Sequence, residues 1–219
     1  MENIEMNTLR NMELAPWIQK ASALIAQHRK VGGNQFRHCL ATMTILIDYH
    51  FIDSVLLKAA IVHDLLEDSD EVSPFELSSL DQDGPKVLDL VLELSRNNTI
   101  ETKEEYLEKL LFMSSSSAKI VKLADRISNL TDLQLFVFSQ REAESYLDQT
   151  RLFIFPMVTA LLRSEIPNSQ KIMVNEMGKE LHDLVLIREM YVKEFNNYES
   201  IRLKIKHKLK SITFKRSSS

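Results

Sequence analysis

The chain is poor in the residues that punctuate β structure: among 219 residues there are four glycines and five prolines. β-branched alternating runs are few, and together these absences favour an all-α fold. A single cysteine, Cys39, excludes an intramolecular disulfide and points to a reducing cytoplasm. Cys39 lies in an apolar run and reads as a small buried hydrophobe. No stretch approaches the roughly 20 apolar residues of a membrane span. The N-terminus, Met1 to Glu5, lacks the basic flank and apolar core of an export signal. Neither sign of charge dominates, and a net charge of −4 excludes a general nucleic-acid binder and marks no clear nucleic-acid site. Apolar content of 44% supports a globular core, and charged content of 26% excludes general disorder.

Helix signals fill most of the chain. Residues 1–12 read as a polar lead-in, and a helix follows over about 13–30 with Pro16 near its start. Gly32-Gly33-Asn34 breaks the chain before a helix over about 36–50. Asp53 is a good N-cap for a third helix running through Asp68. Ser73-Pro74 with Glu76 opens a short helix. Further helices are expected over 86–95, 103–113, 118–137, 142–163 and 169–195. The organisation expected is a lead-in over 1–12, a main domain over 13–165, and a C-terminal helical extension with a basic tail over 166–219.

The most informative run is Ala59-Ala60-Ile61-Val62-His63-Asp64-Leu65-Leu66-Glu67-Asp68. On a continuous helix His63 and Glu67 share one side, as do Asp64 and Asp68. Desolvating an unpaired carboxylate costs several kcal/mol, so three beside a histidine are not there for packing. A divalent cation would offset that cost, with the adjacent His63-Asp64 pair giving it one nitrogen and one oxygen. Further ligands are available at His38, 25 residues earlier, and at Asp125 in Leu123-Ala124-Asp125-Arg126-Ile127-Ser128-Asn129. Mixed nitrogen and oxygen ligation suits manganese, iron or zinc. Glu67 and Asp68, one turn on, are placed to handle the protons of a nearby water; acids at a helix C-terminus are electrostatically disfavoured otherwise.

The set His38, His63-Asp64 and Asp125 resembles the signature of the HD-domain metal-dependent phosphohydrolases. The runs AAIVHDLLEDSD and VKLADRISNLTDL look like the two strongest motifs of the (p)ppGpp hydrolases, meaning the small alarmone hydrolases and the hydrolase domain of RelA/SpoT proteins. The resemblance covers roughly residues 14 to 162. It implies a helical HD-domain bundle with extra C-terminal helices, manganese as the metal, and catalytic work for Glu67 and Asp68. It also implies substrate contacts from Arg29 and Lys30, which suit phosphate, and from Asn129 on ribose or phosphate. The activity implied is hydrolysis of the 3′-pyrophosphate of an alarmone, releasing pyrophosphate and GDP or GTP, without a synthetase domain.

The sequence departs from the family pattern at the recognition loop. Gln35 stands where an aromatic is common, the loop from Arg29 to His38 is short, and Arg96-Asn97-Asn98-Thr99 replaces a stretch that often holds a basic residue. Two alternatives therefore stand beside the alarmone reading. One is a phosphohydrolase of another nucleotide, such as ppApp, NADPH or a nucleoside monophosphate. The other is a non-catalytic nucleotide-sensing module. His28, His50, His182 and His207 fit no motif. From Ile201 to Arg216 there are seven Lys or Arg residues and no acid, a basic tail whose partner the sequence leaves open, as it leaves the oligomeric state.

Overall fold

In the computed structural model, residues 3–69, 71–133 and 139–216 are described, with side chains from Ile4 to Glu194 within those ranges. The order of elements is helical throughout, and no strand occurs among the described residues. α1 (Asn3–Asn11) turns the polar lead-in into a helix, which docks through Leu9. α2 (Ala15–Ala21) starts with Pro16 in its first turn and passes into a 3₁₀ segment, Ser22–Ala26, so the helix expected to about residue 30 stops earlier. A tight turn follows. The Arg29 amide donates to the Gly33 carbonyl and the Gly32 amide to the Arg29 carbonyl, with Gly32 at φ +86° and Gly33 at φ +72°. This backbone region favours glycine and lets the chain reverse within a few residues.

α3 (Gln35–Asp48) is capped by Asn34, whose side chain accepts from the Arg37 amide. α4 (Ser54–Val62) is capped by Asp53, as its spacing predicts. The continuous helix expected through Asp68 is interrupted at His63-Asp64 and resumes as α5 (Leu65–Asp68). The cause is local. His63 Nδ1 donates to the Ala60 carbonyl, the acceptor that the Asp64 amide would use in an unbroken helix. α6 (Pro74–Ser78) opens on the Ser73/Glu76 capping box. α7 (Gly84–Leu94) and α8 (Lys103–Met113) lead to α9 (Ser116–Asp132), capped by Ser115.

α10 (Gln140–Gln149) and α11 (Phe155–Arg163) are joined by a π-helical turn, Thr150–Ile154, so the helix expected over 142–163 is one run with a bulge. α12 (Asn168–Arg216) is the longest element. Its buried residues Val174, Met177, Leu181 and Val185 pack on the same core as the rest, against α9, α10 and α11. The side chains of the basic tail, His207 included, lie outside the described residues.

The core runs through the middle of this bundle, where Leu46 of α3, Leu57 and Ile61 of α4, and Leu123 and Ile127 of α9 are fully or almost fully buried. α3 packs against both α4 and α9. That three-helix contact brings the polar residues of three distant sequence segments to one place. Elsewhere in the bundle Lys58 is buried between Asp81 (2.7 Å) and Asp83 (2.6 Å), and Trp17 Nε1 also donates to Asp81 at 2.8 Å.

Candidate metal centre and active site

His38 faces α9 from α3. Its Nε2 lies 3.0 Å from Asp125 Oδ1 and 3.7 Å from Asp64 Oδ2, and its Nδ1 is 2.9 Å from Ser128 Oγ. His63, at the break between α4 and α5, is oriented by the Nδ1–H donated to Ala60 at 2.8 Å. In the neutral ring this leaves the lone pair on Nε2. That atom is 3.2 Å from Asp64 Oδ1 and 3.8 Å from Asp125 Oδ1. The two imidazole rings meet edge to face, 5.3 Å apart. One ligand atom each from His38, His63 and Asp125 fits within 4.8 Å, and Asp64 joins His63 and Cys39 in an overlapping group of the same span. All four candidate ligands read from the sequence thus lie close together.

Whether these residues fit a cation can be tested on His63. Its Nε2 is buried and has no hydrogen-bond partner among the described residues. A lone pair aimed at carboxylate oxygens is repulsive, so a proton or a cation must stand between them. Burial opposes the charge on His63, but Asp64 above all, then Cys39 and Asp125, raise the imidazole well above its ordinary value. Asp125 moves the other way. Burial raises its pKa, yet Lys122 and the two imidazoles outweigh it and hold the carboxyl well below the usual range. A divalent cation held there would face two nitrogens and two carboxylates, a donor set that fits a transition metal.

Asp125 is held on every side. Asn129 Nδ2 donates to Oδ1 at 2.5 Å, and Lys122 Nζ is 2.7 Å from Oδ2. Asn129 in turn accepts from Arg29 at 2.9 Å, and Arg29 pairs with Asp132 at 2.5 Å. The Gly32-Gly33 turn is what brings Arg29 onto α9 despite about a hundred residues of separation. Arg37 shares Asp132 at 3.2 Å. Lys30 points elsewhere, with its side chain 64% exposed and Nζ 3.0 Å from Glu142 of α10.

Glu67 and Asp68 are held by different elements. Glu67 accepts from the Arg96 amide at 3.1 Å and from Asn98 at 3.3 Å, with Arg96 Nε at 3.8 Å. The Arg96–Thr99 loop thus serves this acid. Asp68 Oδ2 accepts from Gln35 Nε2 at 2.6 Å. Burial first, then the charge of Asp64, raises the Asp68 carboxyl above its ordinary value.

Cations gather beside this cluster. Tyr146 has Arg126 stacked 4.0 Å from its ring centre and Lys103 4.9 Å away. Desolvation, then Arg126 and Lys122, push Lys103 down to about 8. Lys122 lies 5.3 Å from the Tyr106 ring. Lys122 and Ser128 were missed in the sequence, though their spacing of three from Asp125 on one helix would have found them. Lys103 and Gln35 lack any such local signal.

The profile of the HD domain matches residues 16–155. The guanosine-3′,5′-bis(diphosphate) 3′-pyrophosphohydrolase MESH1 of Mus musculus is 39% identical over 132 residues, 55% of this chain and 71% of that one. The protein of the same name from Drosophila melanogaster is 36% identical over 101 residues, 45% of this chain and 55% of the relative's length. A solved structure described as a metazoan ortholog of SpoT that hydrolyses ppGpp superposes with a TM-score of 0.58 at 26% identity, covering 82% of this chain and 96% of that one. With the helical bundle and the His38, His63-Asp64 and Asp125 cluster in place, the chain belongs to the HD-domain family.

Proposed function

We propose that this protein is a manganese-dependent hydrolase of the 3′-pyrophosphate of (p)ppGpp-type alarmones, acting in the cytoplasm. The observation that supports it most directly is the buried, unpartnered Nε2 of His63 among carboxylates, one turn from the Glu67-Asp68 pair. The MESH1 relatives named for this reaction support the choice of substrate.

His38, His63, Asp64 and Asp125 would hold the metal. When bound, it supplies Lewis-acid polarisation of the phosphoryl group and makes water a competent nucleophile near neutral pH. The protein's own groups do the rest. Glu67 and Asp68 take the proton from the attacking water and deliver one to the ribose 3′-oxygen. The water oxygen bonds to phosphorus as the bond from phosphorus to the 3′-oxygen breaks, so pyrophosphate and GDP or GTP leave. Arg29, Lys103 and Lys122 supply positive charge to the polyphosphate, with Asn129 fixing both Arg29 and Asp125.

The test is pyrophosphate release from ppGpp with Mn²⁺, with chelator, and with the Glu67→Ala and Asp68→Ala variants. Release by the intact protein alone is expected; full activity in either variant refutes the proton-handling role. A second substrate reading rests on Gln35 at the start of α3, where the sequence departs from the family pattern. A panel of ppApp, NADPH and nucleoside monophosphates decides between substrates, because metal dependence is common to all. Tight nucleotide binding without turnover would instead support a sensing module.

A further inference from the structure

We propose that Gln35 is a positioning residue that aims the Asp68 carboxylate, an inference that rests on the catalytic role proposed above for Asp68. Gln35 is the first residue of α3, three positions before His38, and its amide donates to the Gln27 carbonyl at 2.9 Å. The backbone is therefore anchored on the turn that precedes it. From this fixed point the side chain reaches 33 residues along the chain to Asp68, the last residue of α5, at 2.6 Å. An ionised carboxylate only accepts, so the amide must present its NH₂ group to Asp68. Its carbonyl oxygen, Oε1, is then buried with no hydrogen-bond partner among the described residues.

A side chain chosen for stability alone would not be left like this. A buried acceptor without a partner is destabilising, and a lysine or arginine here would neutralise Asp68 as well as bind it. Glutamine does something else. It orients a carboxylate through one neutral donor and adds no positive charge that would weaken it as a base. Only Oδ2 of Asp68 has a side-chain partner among the described residues. Oδ1 is left to exchange the proton. The neighbouring acid is treated differently, since Glu67 receives donors on both oxygens and has the Arg96 guanidinium nearby. The two acids are thus made unequal, with Asp68 the one held by a single neutral bond.

The test is a double-mutant cycle. Gln35→Leu removes the donor at similar volume, and Gln35→Met serves the same purpose if the leucine variant does not fold. Alone, the substitution is expected to lower kcat for ppGpp about 10- to 100-fold with KM within about twofold, as loss of orientation should. In an Asp68→Asn background the same substitution should cost no further activity, because there is no longer a carboxylate to aim. Bound Mn²⁺ per chain should be unchanged in all four proteins. An equal loss in both backgrounds, or none in either, overturns the proposal. Absence of ppGpp turnover in the parent protein would remove the substrate reading and not this one. Crystal structures of the parent and of the Gln35 variant then decide: a displaced Asp68 carboxylate supports the positioning role, and an unmoved one ends it.

Discussion

The pair of Lys122 and Asp125 offers a way to separate what this cluster does for the fold from what it does for a metal. Replacing Asp125 with alanine removes the 3.0 Å contact with His38, the 2.5 Å bond from Asn129 and the 2.7 Å ion pair with Lys122. The consequence that dominates is the stranded lysine. Lys122 has a side chain only 15% exposed, and its pKa is raised because Asp125 overcomes the cost of its burial. Removing one partner of a buried ion pair typically destabilises by about 3–5 kcal/mol. In a protein of this size that lowers the melting temperature by about 6–20 °C. The Asp125→Ala/Lys122→Met double variant removes the stranded charge and should recover at least half of that loss, while Mn²⁺ binding stays abolished. Thermal unfolding with and without Mn²⁺, together with metal content by mass spectrometry, reads both quantities. A single variant within about 1 kcal/mol of the parent, or a double variant no more stable than the single, would refute the argument that Asp125 compensates Lys122.

Saturating Mn²⁺ should raise the melting temperature of the parent by about 5–10 °C, since ligand at a hundred times its Kd contributes about 2.7 kcal/mol; His63→Ala should abolish the shift, and an equal shift in that variant would place the metal elsewhere. Arg29→Ala should raise KM for a phosphorylated nucleotide about tenfold with little change in kcat, as expected for one charge-assisted phosphate contact; an unchanged KM would assign Arg29 to packing against Asp132 alone. Lys58→Met should lower the melting temperature by about 5–10 °C at pH 7 by leaving Asp81 and Asp83 without their cation. Both carboxyls are depressed: Asp81 because its bonds from Lys58 and Trp17 outweigh burial, Asp83 through Lys58 and Ser54. Their contribution is complete above the unfolded aspartate value near 3.9 and is lost as pH falls through the lower folded values. The gap between parent and variant should therefore close in acid, and a gap constant from pH 7 to pH 3 would contradict this origin.

Much of the chain was legible before any coordinates. Helix starts were marked by local chemistry, as at Asp53 and Ser73-Pro74, where a side chain satisfies amides within its own first turn. The adjacency of His63 and Asp64, with two acids one turn on, marked a candidate site from residue type and spacing alone. These are interactions over a few residues, so the sequence by itself determines them.

What only the tertiary structure decided are pairings across long separations. The contact of α3 with α9 sets His38 against Asp125, and the Gly32-Gly33 turn lays Arg29 on Asn129 and Asp132, while Lys30, its neighbour in sequence, points to Glu142. Two adjacent residues with the same charge thus take different surroundings, which no periodicity encodes. At the break His63 binds a helix carbonyl, and the hold of Gln35 on Asp68 comes from two helix ends meeting in space. Spacing along a chain specifies which side chains share a helix face. Which of them meet is settled only when apolar faces of different helices are buried against one another.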